Sequence, residues 1–230
     1  SSFRCATMIY VYALCPTPDE SLSLPQGIAQ PVQLLVAEGL GAIAEPEVDV
    51  AQVREDDAQL MEAVLAHDRV LGQLFAQMPL LPLRFGTQFK DLSSLQTFLH
   101  SHQQTYLQRL QTLQDRAEYL LKLSPQPYAA PEVDETVRGR EYFLAKKRRL
   151  QEQTTALAQQ QEELQSFLTT LTAAHIPFVQ SAPQEEEERL HILLSRDALT
   201  AQTLLAEWQR QLPTWQLVCS EPLPPYHFAT

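Results

Sequence analysis

From about Thr136 to Ile176 the chain carries one long helical pattern, dominated by Gln, Glu and Leu, with strand-like segments on both sides. Glu118-Tyr119-Leu120-Leu121-Lys122-Leu123 precedes it and is closed by Ser124-Pro125-Gln126-Pro127. Phe178-Val179-Gln180 follows the stop at Pro177. A helical run of this length predicts two helices or a kinked one. The charged loop Glu185 to Glu188 then separates Phe178-Val179-Gln180 from a second strand, Arg189 to Leu194. Ala198 to Gln211 reads as a helix with Leu199, Leu204, Leu205 and Trp208 inward, and Thr214 to Cys219 as the last strand. The resulting order, β-α-β-β-α-β, is the ferredoxin-like pattern.

The first half is built differently. Met8 to Leu14 is rich in β-branched and aromatic residues and stops at Cys15-Pro16-Thr17-Pro18. Val32 to Ala37 and Leu40 to Glu45 flank Glu38-Gly39, which predicts a hairpin. From Asp56 onward Leu60, Met61, Val64, Leu65, Val70, Leu71, Leu74 and Phe75 recur at helical spacing. Leu80 to Thr87 reads as one strand bearing Arg84, and Asp91 as the N-cap of a further helix. The fold expected is α+β in two domains. Residues 1–115 form a mixed or antiparallel sheet with helices on one face. Residues 116–219 form a ferredoxin-like domain with an extended helical insertion, and the Pro-rich tail 220–230 packs on the domains through Tyr226 and Phe228.

Charge and cysteine usage narrow the function. A net charge of -11 disfavours nucleic-acid binding and docking on an anionic lipid membrane. Three cysteines without a Cys-x-x-Cys give neither a disulfide framework nor a zinc site, and point to a reducing cytoplasm. No apolar run approaches the roughly 18 residues of a membrane span. The six histidines show no metal-ligand spacing, and there is no nucleophile elbow or phosphate-binding glycine loop. No cofactor or metal is therefore expected, and an enzyme is disfavoured. The local exception to the acidic balance is Lys146-Lys147-Arg148-Arg149, either a solvated helix face or a contact for an acidic partner.

Three stretches resemble a known family. Ala66-His67 on a helix is followed by Pro82-Leu83-Arg84-Phe85-Gly86-Thr87. Gly139-Arg140-Glu141-Tyr142-Phe143-Leu144 opens the long helix, and Glu221-Pro222-Leu223-Pro224-Pro225-Tyr226-His227-Phe228 ends the chain. In this order they resemble the gas vesicle proteins F and L. The resemblance implies an accessory or minor structural protein of the gas vesicle, not an enzyme. Its partners would be the major hydrophobic shell protein, whose aggregation it would limit during nucleation, and other accessory proteins. It would be cytoplasmic and associated with the vesicle. Motif membership makes His67, Pro82, Arg84, Phe85, Gly86, Tyr142, Pro224, Tyr226 and Phe228 candidate interaction residues. The tail departs from the family's Gly-Pro-Trp at Ser220-Glu221-Pro222-Leu223, and His227 stands where Ser is common. Arg84 is either solvent-exposed or buried against Glu62, Asp68 or an acceptor near His67. The alternative function is a ferredoxin-like module binding a small regulatory ligand.

Overall fold

The computed structural model describes residues 8–129 and 138–229. The chain divides into two compact units: one runs to Glu118 and resumes at Pro222, and the other spans Tyr119–Glu221.

In the first unit β1 (Ile9–Pro16) is the central strand, and Ile9 through Cys15 are fully buried. It pairs antiparallel with β3 (Leu40–Pro46) on one side. On the other it pairs with two short strands, β4 (Leu81–Pro82) and β5 (Gln88–Phe89). The edge strand β2 (Gln33–Ala37) completes the order β2-β3-β1-β4. Positive φ at Glu38 and Gly39 makes the tight turn of the β2–β3 hairpin.

The short helix α1 (Val50–Val53) leads into α2 (Asp57–Phe75), capped by the Asp56 carboxylate, which accepts from Gln59 N. Helix α3 (Leu92–Thr112) is capped by Asp91, whose carboxylate accepts from Ser94 N and lies below its ordinary range because of that bond. It buries Leu95, Leu99 and Leu110 and packs against β1 and β3.

Two expectations are corrected here. Leu80 to Thr87 is not one strand: both Leu81 and Pro82 are buried, and the chain then turns through Gly86 at φ +90°. Pairing with β1 runs through Pro82 to Leu83, whose N–H donates to the Tyr12 carbonyl, and resumes at Thr87, whose carbonyl accepts from Val11 N. The residues between loop out in a turn closed by Thr87 N on the Arg84 carbonyl. On α2 the buried face is Ala63, His67, Val70, Leu71, Leu74 and Phe75, while Met61 and Leu65 are exposed. His67, a polar residue outside the expected apolar set, lies on the buried face.

The second unit contains β6 (Arg116–Pro125, from Tyr119 onward), α4 (Arg140–Ala173), β7 (Phe178–Gln184), β8 (Glu187–Ser195), α5 (Ala198–Gln211) and β9 (Trp215–Cys219). Strand order is β7-β8-β6-β9. The β7–β8 hairpin closes at Glu185-Glu186, both at positive φ, so the expected charged loop is a two-residue turn. The long helix is one element, not two. Thr136, where the sequence pattern begins it, lies outside the described residues. Phe167 of α4 meets Trp208 of α5 edge-on at 5.6 Å. Leu199, expected inward, is exposed, and Ala201 is buried instead.

Candidate functional site

Helix α2 places the His67 imidazole, 3% exposed, against the two tyrosines of β1. Tyr12 stacks on it at 5.2 Å, and Phe85 meets it edge-on at 5.8 Å. The Leu83 carbonyl can only accept, so His67 Nε2 carries the proton and donates to it (3.0 Å). Nδ1 is then the acceptor for Tyr10 Oη (2.8 Å), and that hydroxyl accepts in turn from Gly86 N (3.2 Å). Burial holds His67 below its ordinary pKa and Tyr10 well above its own. The imidazole is neutral and both nitrogens are engaged. A Cβ on Gly86 would meet only the mobile end of the Arg54 side chain, so it is the φ of +90°, not space, that calls for glycine at this turn.

Next to this lies Glu45, fully buried on β3. Its Oε1 accepts from Ala29 N and Gln30 N (2.7 Å each). Its Oε2 accepts from Ile28 N (2.8 Å) and Tyr12 Oη (2.5 Å). Three successive backbone N–H groups thus converge on one carboxylate and fix the loop before β2. Gly27 is required beneath it, since a Cβ there would overlap Glu45 Oε2. Among the described residues no buried side-chain nitrogen or oxygen lacks a hydrogen-bond partner. The Cys15 thiol, pushed up to about 12 by burial, is no nucleophile.

The tail closes the first unit. Glu118 and Leu223 exchange backbone hydrogen bonds (3.0 and 2.8 Å). The buried Glu118 carboxylate accepts from His227 N (2.8 Å) and lies 2.7 Å from His227 Nδ1. Pro224 and Pro225 are buried, and Phe228 is half-buried. The Tyr226 phenol is raised by burial, by the nearby Asp68 and Glu118 charges, and by a hydrogen bond to Asp68. Asp68 is the neighbour of His67 on α2.

The structure therefore gathers His67, Pro82, Phe85, Gly86, Pro224, Tyr226 and Phe228 in one unit. Arg84 is exposed, and its carbonyl accepts from Thr87 N and Oγ1. Of the two placements open for it, solvent exposure is the observed one. Tyr142 lies in the second unit, near the start of α4, 40% exposed. Sequence reasoning missed Tyr10, Tyr12, Glu45 and Glu118. A signal existed for Glu45: a lone carboxylate in the apolar run Leu40 to Glu45 must find donors if that run is buried.

The model of the gas vesicle synthesis protein GvpL/GvpF family matches residues 8–230. The chain belongs to this family. Gas vesicle protein F of Streptomyces sp. (strain CB03234) is 32% identical over 119 residues, covering 50% of this chain and 48% of that protein. Gas vesicle protein L of the same strain is 31% identical over 137 residues, covering 55% and 51%. The chain thus spans about half the length of either relative in these matches. The crystal structure of gas vesicle protein GvpF from Microcystis aeruginosa superposes with a TM-score of 0.67 at 18% identity, over 97% of this chain and 99% of that one. GvpF from Anabaena sp. PCC7120 gives 0.68 at 19% identity, over 97% and 96%. These two structures share the mixed α+β fold with antiparallel strand pairs. Membership of the family carries a gas-vesicle-related role. No helix among the described residues is long and apolar enough to cross a membrane.

Proposed function

We propose that this protein is a cytoplasmic assembly factor of the gas vesicle that binds the major hydrophobic shell protein, limits its aggregation during nucleation, and works alongside other accessory proteins. The family match over residues 8–230 is the observation that carries this reading. Physical chemistry supports it in two ways. An acidic chain with net charge -11 resists self-association, so it can hold an apolar client in solution. The outer face of α2 offers Met61 and Leu65 one turn apart, and the edge strand β2 offers Val36, all exposed. An edge strand and an apolar helix face are what an aggregation-prone strand surface would engage.

In the same reading the two compact units are two domains, and the second is ferredoxin-like. The connectivity β6-α4-β7-β8-α5-β9 with strand order β7-β8-β6-β9 supports this. His67, Pro82, Phe85, Gly86 and the tail residues act as scaffold within the first domain, leaving Arg84 as the exposed member of its motif.

The test is light scattering of shell protein diluted from denaturant, with and without equimolar chain. Suppressed scattering and a soluble complex on gel filtration are expected. Unchanged aggregation, together with absence of the chain from floated, salt-washed vesicles, would overturn the proposal.

A further inference from the structure

Along α4, Phe143, Leu150, Leu157, Leu164 and Leu171 recur at seven-residue intervals. A seven-residue period stays on one helix face, drifting only about 20° per heptad. The fold uses the two ends of this stripe differently. Leu164 and Leu171 are 2% and 0% exposed in the second unit's core. Phe143, Leu150 and Leu157 are 72%, 64% and 55% exposed.

The change falls at Gln160. Its Nε2 donates to the Gln126 and Thr214 carbonyls, and its own carbonyl accepts from Trp215 Nε1 (3.0 Å). Thr214 Oγ1 donates to Glu163 Oε2 (2.6 Å) just beyond. N-terminal to that knot, Tyr128 meets the helix, donating to Glu152 Oε2 (3.1 Å) in a recess shared with Thr155 and Gln159. Those residues stand two positions from Leu150 or Leu157, about 200° around the helix, so Tyr128 covers the face opposite the stripe.

Charge selects what fits the uncovered face. Lys146 and Lys147 lie at i+3 and i+4 from Phe143 and at i−4 and i−3 from Leu150, so they flank the stripe itself. Residues 140–159 hold five cationic side chains and two anionic ones in a chain whose net charge is -11. Two copies of this segment would repel. The exposed apolar line is Phe143, Leu150 and Leu157, with Tyr142 and Leu144 widening it only in the first turn. It is narrower than the broad apolar face that sinks into a bilayer, and it suits contact with the apolar edge of a second helix.

We propose that the N-terminal half of α4 is a docking site for an amphipathic helix of another protein, apolar along one seam and acidic at the positions flanking it. The stripe supplies the desolvated contact, and Lys146 and Lys147 supply partner choice and orientation. This does not depend on the shell-protein reading, whose scattering assay measures a different client.

The experiment measures binding of two synthetic helical peptides to the whole chain by fluorescence anisotropy. Both carry Leu at every seventh position; one has Glu at the flanking positions and the other Lys. The Glu peptide is expected to bind and the Lys peptide not. Phe143→Ser/Leu150→Ser/Leu157→Ser and Lys146→Glu/Lys147→Glu are each expected to weaken the Glu peptide by about tenfold or more. Circular dichroism melts check that both variants fold, which exposure of all five positions predicts. Four outcomes overturn the proposal: no binding of the Glu peptide, equal binding of both peptides, a concentration-dependent dimer abolished by the triple substitution, or co-sedimentation with phosphatidylserine vesicles abolished by it.

Discussion

Glu45 and the Lys146–Arg149 cluster are both charge set among apolar residues, one on β3 and the other on α4. Glu45 is taken wholly inside and surrounded by three backbone N–H groups and the Tyr12 hydroxyl. The lysine-arginine cluster stays in water beside exposed Phe143 and Leu150. A buried charge survives only when its partners come from the chain itself, so the Glu45 region is closed to outside ligands. An exposed charge is satisfied by water, and one set beside exposed apolar side chains is the setting that the proposed docking uses. The contrast sets a carboxylate whose hydrogen bonds are all made within the first unit against a basic, partly apolar helix face that the proposed docking would use.

The largest effect expected is that of Glu45→Ala. It orphans the N–H groups of Ala29 and Gln30 and the Tyr12 hydroxyl proton, leaves Ile28 N only its bond to Tyr12 Oη (2.9 Å), and should cost about 3–5 kcal/mol in urea unfolding. A loss under about 1 kcal/mol would mean that this loop is held by something else. Gly27→Ala strikes the same contact from the other side, because its Cβ would overlap Glu45 Oε2. Overpacking there should cost about 1–3 kcal/mol, and much less than additively in the background of Glu45→Ala.

His67 gives a smaller effect that depends on pH. Burial lowers its pKa below the ordinary 6.5, so the folded state resists a proton that the unfolded chain accepts. Above 6.5 both states are neutral and nothing is lost. As pH falls from 6.5 toward the lower folded value, stability falls with it. His67→Gln should therefore show a smaller drop in Tm than the parent between about pH 7.5 and 5.5. An identical drop would remove His67 from the account. Least of all, Leu150→Ser should change stability by no more than about 0.5 kcal/mol, since an exposed side chain has no core contact to lose. A larger loss in a melt of the isolated chain would show that the stripe is already covered.

Much of this was legible in the amino-acid order. Glu38-Gly39 between apolar runs marked the β2–β3 turn, and Asp91 the start of α3, because each rests on local backbone geometry. The misread elements depended on distant contacts. Leu80 to Thr87 looks continuous by composition, yet after Leu83 the chain loops out of the ladder and turns at Gly86. Met61, Leu65 and Leu199 fit a helical period, but what a helix buries depends on which elements cover it. The Tyr10–His67–Leu83 chain joins residues more than fifty positions apart at one end, and periodicity carries no trace of it. The motif residues were found by resemblance, and the hydrogen bonds and burial around them came from geometry.

Amide hydrogen exchange on the intact chain, followed by mass spectrometry, sets the closed and open regions side by side in one experiment. The account predicts that Ile28, Ala29 and Gln30, although in a loop, exchange as slowly as β1, while residues 143–157 of α4 exchange well ahead of residues 160–171. Rapid exchange at 28–30, or equal protection along both halves of α4, would contradict it.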